Sequence, residues 1–264
     1  MGIVAEVIMN LCIDVGNTTI GLGFFKEEKL IKKLIYTVDL KKTKDEYLSV
    51  LNRTLLENKY DVNDFHHVIF SSVVPSINEP LIEALQELFH QEVMLIAPGI
   101  KTGLIVHVDN PSEIGNDLIA VMVGAKEKYG YPCLIADLGT ASKVLLIDKT
   151  GAFISCMIMP GLSLSVSSLT DRAALLPEIA IKKPKNVLSK NTIDAINNGV
   201  VYGHADMIDG IVRRYEKEIG YPCRHILSGG GATYIKDILD KEWVYDPNLC
   251  LEGLNFIINR NEGK

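Results

Sequence analysis

Acids that close apolar runs are the residues of this chain with the clearest chemistry. In Leu11-Cys12-Ile13-Asp14-Val15-Gly16-Asn17-Thr18-Thr19, one carboxylate ends a strand-like run and a Gly-Asn-Thr turn follows. A carboxylate there avoids burial unless it has a partner. Two partners suit it: a Mg²⁺ ion carrying nucleotide phosphates, or a turn-capping hydrogen bond of the kind common in Asp-x-Gly turns. Cys133-Leu134-Ile135-Ala136-Asp137-Leu138-Gly139-Thr140-Ala141-Ser142 repeats the layout. Two equivalent turns point to an internal duplication. Facing each other, they would set two carboxylates and two sets of backbone donors around one anionic ligand. A third segment, Ser228-Gly229-Gly230-Gly231-Ala232, joins a strand to a helix. Its glycines let the backbone approach a flat group such as a nucleotide base or ribose, although such loops are as often structural. Asp117 opens a helical pattern, where capping competes with a functional role.

The elements that must hold these residues follow from periodicity. Three short-linked strands are expected over residues 9–14, 20–25 and 29–38, then a helix over 44–58, a strand over 67–72, a helix over 77–89 and a strand over 92–96. Residues 101–116 read as irregular, with Pro98 breaking the chain just before, and the domain boundary is set after residue 111. A helix over 117–129 precedes a second set of strands over 133–137, 142–148 and 151–159. A helix reaching Leu175, a basic loop over 181–189, a long helix over 191–219, a strand over 225–227, a helix over 234–239, a short strand at 244–245 and a last helix over 249–258 complete the pattern. Gly199, Gly203 and Gly210 in the long helix suggest close packing, including against a second subunit.

Composition narrows the classes. With 47% hydrophobic and 23% charged residues, the chain has the balance of a globular protein with a sizeable core. A net charge of −6 argues against a nucleic-acid binder. The five cysteines form no C-x-x-C pair and the six histidines show no ligand spacing with them, so zinc is not expected and the thiols read as small buried groups in a reducing cytoplasm. The stretch before Met9 has neither the basic start of a signal peptide nor the length of a membrane span, and reads as a start-site extension.

The two Asp-x-Gly hairpins and the late glycine loop resemble the phosphate and adenosine motifs of the superfamily of acetate and sugar kinases, actin and heat-shock chaperone ATPases. That resemblance implies an α/β fold of duplicated ribonuclease H-like domains, β-β-β-α-β-α twice, with an ATP cleft between them; here the halves would be residues 1–111 and 112–264. Within the superfamily the chain is similar to type III pantothenate kinases over nearly its full length. The carriers are Asp14 to Thr18, Ser71-Ser72-Val73-Val74-Pro75, Asn110-Pro111 with Gly115-Asn116-Asp117, and Asp137 to Ala141, followed by Pro160-Gly161, Leu175-Leu176-Pro177, Asn191-Thr192, Gly199 with Tyr202-Gly203, Ser228 to Ala232, and Glu252-Gly253-Leu254.

The resemblance implies ATP-dependent phosphorylation of pantothenate, or of a related small molecule, by a cytoplasmic homodimer that uses Mg²⁺ and a monovalent cation, K⁺ or NH₄⁺. Nucleic acid and membrane have no part in it. Asp14 and Asp137 would serve the metal. Gly16, Asn17, Thr18, Gly139 and Thr140 would cradle phosphates, and Gly229, Gly230 and Gly231 would lie near the adenosine. Asp117 would orient or deprotonate the acceptor hydroxyl, with Asn110, Gly115, Asn116 and Thr192 at the acceptor. The chain departs from the family pattern at specific places. Leu118 stands where the family has an arginine that helps bind pantothenate, and leucine cannot make a bidentate contact with a carboxylate. Lys143 stands where a threonine is usual, and its ammonium would replace the monovalent cation; the plain alternative is a solvent-facing lysine. Val108, Ser155-Cys156 and Ser189 are further departures. Two other functions fit the same residues: a non-catalytic or regulatory relative, and a kinase for a different small hydroxy acceptor.

Overall fold

The computed structural model describes residues 9–97, 99–173 and 175–262. The expected start-site extension before Met9 and the chain break at Pro98 lie outside them. Strands β1 (Met9–Val15), β2 (Thr19–Lys26) and β3 (Lys29–Thr37) form a meander, followed by α1 (Lys44–Asn58), β4 (Phe65–Ser72), α2 (Asn78–Phe89) and β5 (Met94–Leu95). The two-residue strand β6 (Ile105–Val106) precedes α3 (Asn116–Tyr129). A second meander, β7 (Cys133–Leu138), β8 (Ala141–Ile147) and β9 (Ala152–Pro160), leads to α4 (Leu162–Arg172) and α5 (Thr192–Ile219). Then come β10 (Arg224–Ser228), α6 (Ala232–Ile235), β11 (Val244–Tyr245) and α7 (Leu249–Glu262).

Sheet order carries the duplication. The first sheet runs β3-β2-β1-β4-β5, and the second contains β9-β8-β7-β10-β11 with β6 added outside β9. In each, the meander is antiparallel and the two later strands are parallel to the first. Three expectations need adjustment. Residues 105–106 are a strand, because they pair with Ala152 and Phe153 at a sheet edge. α4 ends at Arg172, before Leu175, and α6 stops at Ile235.

By contacts the chain forms two units that are discontinuous in sequence. One holds residues up to Gly103, Ser112–Glu127 and those from Leu249 onward; the other holds Leu104–Pro111 and Lys128–Asn248. In the first, period-2 alternation sends Leu11, Ile13 and Val15 into the core with Phe70, Leu81 and Leu85. The opposite face of the sheet receives α7: Asn10 Nδ2 donates to Asn255 Oδ1 at 2.8 Å, and Gly21 and Gly23 leave room for Leu251. α3 and α7 touch backbone to backbone, since a Cβ at Gly253 would fall 1.8 Å from the Ala120 carbonyl and one at Gly124 2.3 Å from that of Leu249. This contact gathers α3 and α7 into the first unit. In the second unit, Leu134, Ala136, Val144 and Leu146 pack against Val201, Ile208 and Val212 of α5. Asn191 caps α5 and Gly220 ends it in the left-handed region.

Candidate functional site

In the first unit, Asp14 is the penultimate residue of β1 and half-buried. The turn is closed by Gly16 N–H donating to Thr19 O at 2.9 Å, and Asn17 and Thr18 stand exposed at its tip. Asp14 pairs across the hairpin with Gly21 and across the parallel ladder with Ser71. Ser71 is wholly buried, and its hydroxyl has no hydrogen-bond partner among the described residues.

Asp117, in the first turn of α3, folds back on the chain, so that a Cβ at Gly115 would lie 2.5 Å from its Oδ1. Gly115 O accepts from Leu118 and Ile119 N–H and starts the helix. Leu118 faces the core at 8% exposure. Asn116 is half-buried beside Asp117 in the same turn.

The second unit assembles more. Asp137 occupies the position that Asp14 has in the first hairpin, but its cross-strand neighbour is Lys143, whose ammonium lies 3.5 Å from the Asp137 carboxylate. Both side chains are less than one-fifth exposed, so Lys143 is not a solvent-facing lysine. The Cys156 thiol lies within the field of both charges; burial first, then Asp137, pushes it up to about 11 against the opposing pull of Lys143.

Two glycine turns, at Gly161 and at Gly229–Gly231, close around this hairpin. Gly161 N–H donates to Thr140 O at 3.0 Å, and a Cβ there would meet the Gly139 and Thr140 carbonyls at 2.3 and 2.5 Å. Gly229, at φ +84°, has the Leu138 backbone 2.6 Å from where its Cβ would stand. Gly231 N–H donates to Leu138 O at 2.8 Å. Among these turns Gly230 alone has no atom within 4 Å of its Cβ position, and at Gly139 the nearest is 3.6 Å away. The glycines at 161, 229 and 231 are therefore demanded by protein packing, and Gly230 is the one whose missing side chain leaves open space.

Of the expected residues, the structure brings Gly139 and Thr140 together with Gly229 to Gly231, and Gly115 together with Asp117. Thr192 stands apart as the exposed first residue of α5. Its neighbours Asn191 and Ile193 line a cavity of about 810 Å³ that also receives Lys182, Lys183, Lys185 and Lys190. The lysine loop is stapled to α5 by Asn197, which bonds both backbone groups of Lys182, and by Asn198, which donates to Asn186 O and Ser189 Oγ. Asn110 is exposed in the connection between β6 and α3. The Lys143–Asp137 ion pair and the packing role of the glycines were not foreseen. The ion pair was accessible in principle, because Asp137 and Lys143 flank the turn at opposing strand positions.

Comparison with known proteins adds a family. A family profile described as type III pantothenate kinase matches residues 10–214. A type III pantothenate kinase from Agathobacter rectalis is 36% identical over 257 residues, covering 97% of this chain and 99% of that protein. Among solved structures, a protein described as a Baf family transcriptional activator from Campylobacter jejuni superposes with a TM-score of 0.60 at 17% identity, covering 96% of this chain and all of the other. MreB 5 of Spiroplasma citri bound to AMPPNP superposes at 0.54 with 12% identity, covering 98% and 99%. At those identities the two structures speak for the fold alone, that of duplicated ribonuclease H-like α/β domains.

Proposed function

The chain belongs to the type III pantothenate kinase family, and from that membership we propose that it transfers the γ-phosphoryl group of ATP to the hydroxyl of pantothenate, giving 4′-phosphopantothenate, the first step of coenzyme A synthesis. Beyond membership, the observation that carries the reading is the repeated hairpin, an Asp-x-Gly turn at the same topological place in each half. Phosphoryl transfer asks for in-line positioning and charge neutralisation more than covalent chemistry, and backbone N–H groups with a nearby carboxylate-held cation supply both.

The residue roles are our assignment. Gly16, Asn17 and Thr18 of the first hairpin, and Gly139 and Thr140 of the second, offer donors to phosphate. Gly230 is the open edge for the nucleoside, with Gly229 and Gly231 shaping its turn. Asp117 accepts the proton of the attacking hydroxyl or orients it. Asp14 would hold Mg²⁺, which would supply charge neutralisation on the phosphates. A half-buried strand-end carboxylate fits such a hard cation, which is commonly held by one or two carboxylates plus phosphate oxygens. Among the described residues no group of three acidic, histidine or cysteine side chains is gathered that could hold a metal ion, so a Mg²⁺ here would draw its other ligands from phosphate oxygens and water. Asp137 is the second metal candidate, with its charge already balanced by Lys143. That ammonium supports the idea that Lys143 takes the place of a monovalent cation.

On the acceptor side, Leu118 supplies no cation for the pantothenate carboxylate. The lysine-lined cavity beside Thr192 does, through Lys182, Lys185 and Lys190. The proposed assembly is a homodimer. Ile158, Leu164, Leu169, Leu175 and Ile193 are large, apolar and exposed on the second unit, and Gly199 and Gly203 have nothing within 4 Å of their Cβ positions. A monomer mass by light scattering would remove this part. The proposed compartment is the cytoplasm, to be checked by cell fractionation; none of the five cysteines is bonded to another, and no helix among the described residues is long and apolar enough to cross a membrane. The division into an N-terminal domain of residues 1–111 and a C-terminal domain of residues 112–264 is likewise our proposal.

Variant kinetics test the roles. Asp117→Asn should lose roughly 10²- to 10⁴-fold in kcat with an unchanged melting temperature. The triple change of Lys182, Lys185 and Lys190 to Ala should raise KM for pantothenate and spare KM for ATP. Near-normal turnover in the first variant removes Asp117 from the chemistry, and an unmoved KM in the second removes the cavity from acceptor binding.

A further inference from the structure

The nucleotide-side turn Gly229–Gly231 is gripped from two directions. The hairpin residue Leu138 is one, through the close approach of Gly229 and the bond from Gly231. The other is Asp246, which follows β11 and is 5% exposed. Its N–H donates to Leu227 O at 2.9 Å. Its carbonyl accepts from Ser228 Oγ at 2.7 Å, one residue before the turn. Its carboxylate is a buried anion with three donors. Lys128 Nζ and Tyr129 Oη, the latter at 2.7 Å, reach one oxygen, and Asn248 N–H reaches the other at 2.9 Å. Burial pushes this carboxyl up, but the Lys128, Tyr129 and Asn248 bonds outweigh burial and hold it below its ordinary value.

Lys128 keeps contact with solvent while Asp246 is buried, so the pair adds little net stability yet fixes geometry, because the Asp246 carboxylate left alone in the interior would be costly. What this pair fixes is the last residue of β10. Lys128 and Tyr129 close α3, so the end of that helix, Asp246 and the Ser228 hydroxyl form one chain of bonds that ends at Ser228, the residue before Gly229.

We propose that Asp246 is a positioning residue for nucleotide binding: anchored by Lys128 and Tyr129, it holds through Ser228 the turn on which Gly230 meets the ligand. The proposal rests on the reading that Gly230 faces the nucleotide. A turn fixed in advance loses no conformational freedom when ligand arrives, whereas a loose one must be ordered at the expense of affinity. The effect is therefore selective for nucleotide over acceptor.

Ser228→Ala deletes one hydroxyl and nothing else. It should raise KM for ATP about two- to tenfold, the size of one buried hydrogen bond, while kcat and KM for pantothenate stay within about twofold. Ser228→Thr restores the hydroxyl and should return KM for ATP toward the starting value. Asp246→Asn keeps the backbone contacts but removes the charge that Lys128 holds, and should shift the same ratio of KM values in the same direction. A purely structural role would lower the melting temperature of these variants and leave the ratio of the two KM values unmoved, and that result overturns the proposal. Calorimetric titration of the unaltered protein with ADP separates the two ideas. If ADP binds normally and the ratio does not move, the positioning role alone fails; if no adenine nucleotide binds, the nucleotide reading fails with it.

Discussion

The two hairpins occupy the same place in their sheets and are finished differently. Opposite Asp14 stands Gly21, and beside it in the parallel ladder stands Ser71, whose buried hydroxyl has no protein partner among the described residues. Opposite Asp137 stands Lys143, and beside it in the ladder stands Ser228, whose hydroxyl is bonded to Asp246 O. The duplication thus extends to a triplet of positions: an acid, its cross-strand neighbour and a buried serine. In one copy the acid faces an ammonium and the serine is hydrogen-bonded to Asp246 O. The other has a glycine and an unbonded hydroxyl at the corresponding places. The two copies of one scaffold therefore differ in side-chain chemistry at the same topological place: an ammonium and a bonded serine in one, a glycine and an unbonded serine in the other.

The sharpest way to break this contrast is steric. Gly229→Ala forces a left-handed residue to carry a Cβ 2.6 Å from the Leu138 backbone, and should cost more than about 4 kcal/mol in urea unfolding or prevent folding outright. Gly16→Ala, in the first hairpin, meets nothing closer than 3.5 Å and should cost less than about 1 kcal/mol. Similar losses at both sites would mean that the two turns are equally packed.

Charge comes next. Lys143→Met leaves the Asp137 carboxylate without its ammonium and should destabilise the protein by about 1–3 kcal/mol, less than a fully buried pair because both groups keep some exposure. The same variant should acquire a turnover that rises with K⁺, while the unaltered protein is indifferent to it. Strict K⁺ dependence before the change would remove Lys143 from the cation role.

The smallest effect compares the serines. Ser71→Ala removes a buried hydroxyl that makes no bond among the described residues, so stability should stay level or rise by a few tenths of a kcal/mol. Ser228→Ala breaks a bond and should lower stability by about 1 kcal/mol. Equal losses at the two serines would erase the distinction between the two halves.

Much of this was legible in the residues. Both hairpins, the helices between them and the glycine loop follow from apolar period and turn chemistry, because strands and helices are local patterns. The strand at 105–106 was not legible: two residues at a sheet edge carry no period, and only their pairing with Ala152 and Phe153 makes them a strand. The Gly229–Gly231 loop was open to either a ligand slot or a structural turn; Gly229 and Gly231 answer to the backbone of Leu138, and Gly161 to that of Gly139 and Thr140, demands that no local pattern encodes. The same holds for Ser228 and Asp246, joined across 18 positions that share no motif. Leu118 was noticed as a departure at the acceptor side; its burial adds that the side chain serves the core.

The central claim is the transfer itself. Purified protein incubated with ATP, Mg²⁺ and pantothenate, without added K⁺, should release ADP in step with the appearance of 4′-phosphopantothenate, measured by mass spectrometry. Adenine nucleotide that binds while no phosphorylated pantothenate appears, with or without K⁺, would contradict the account.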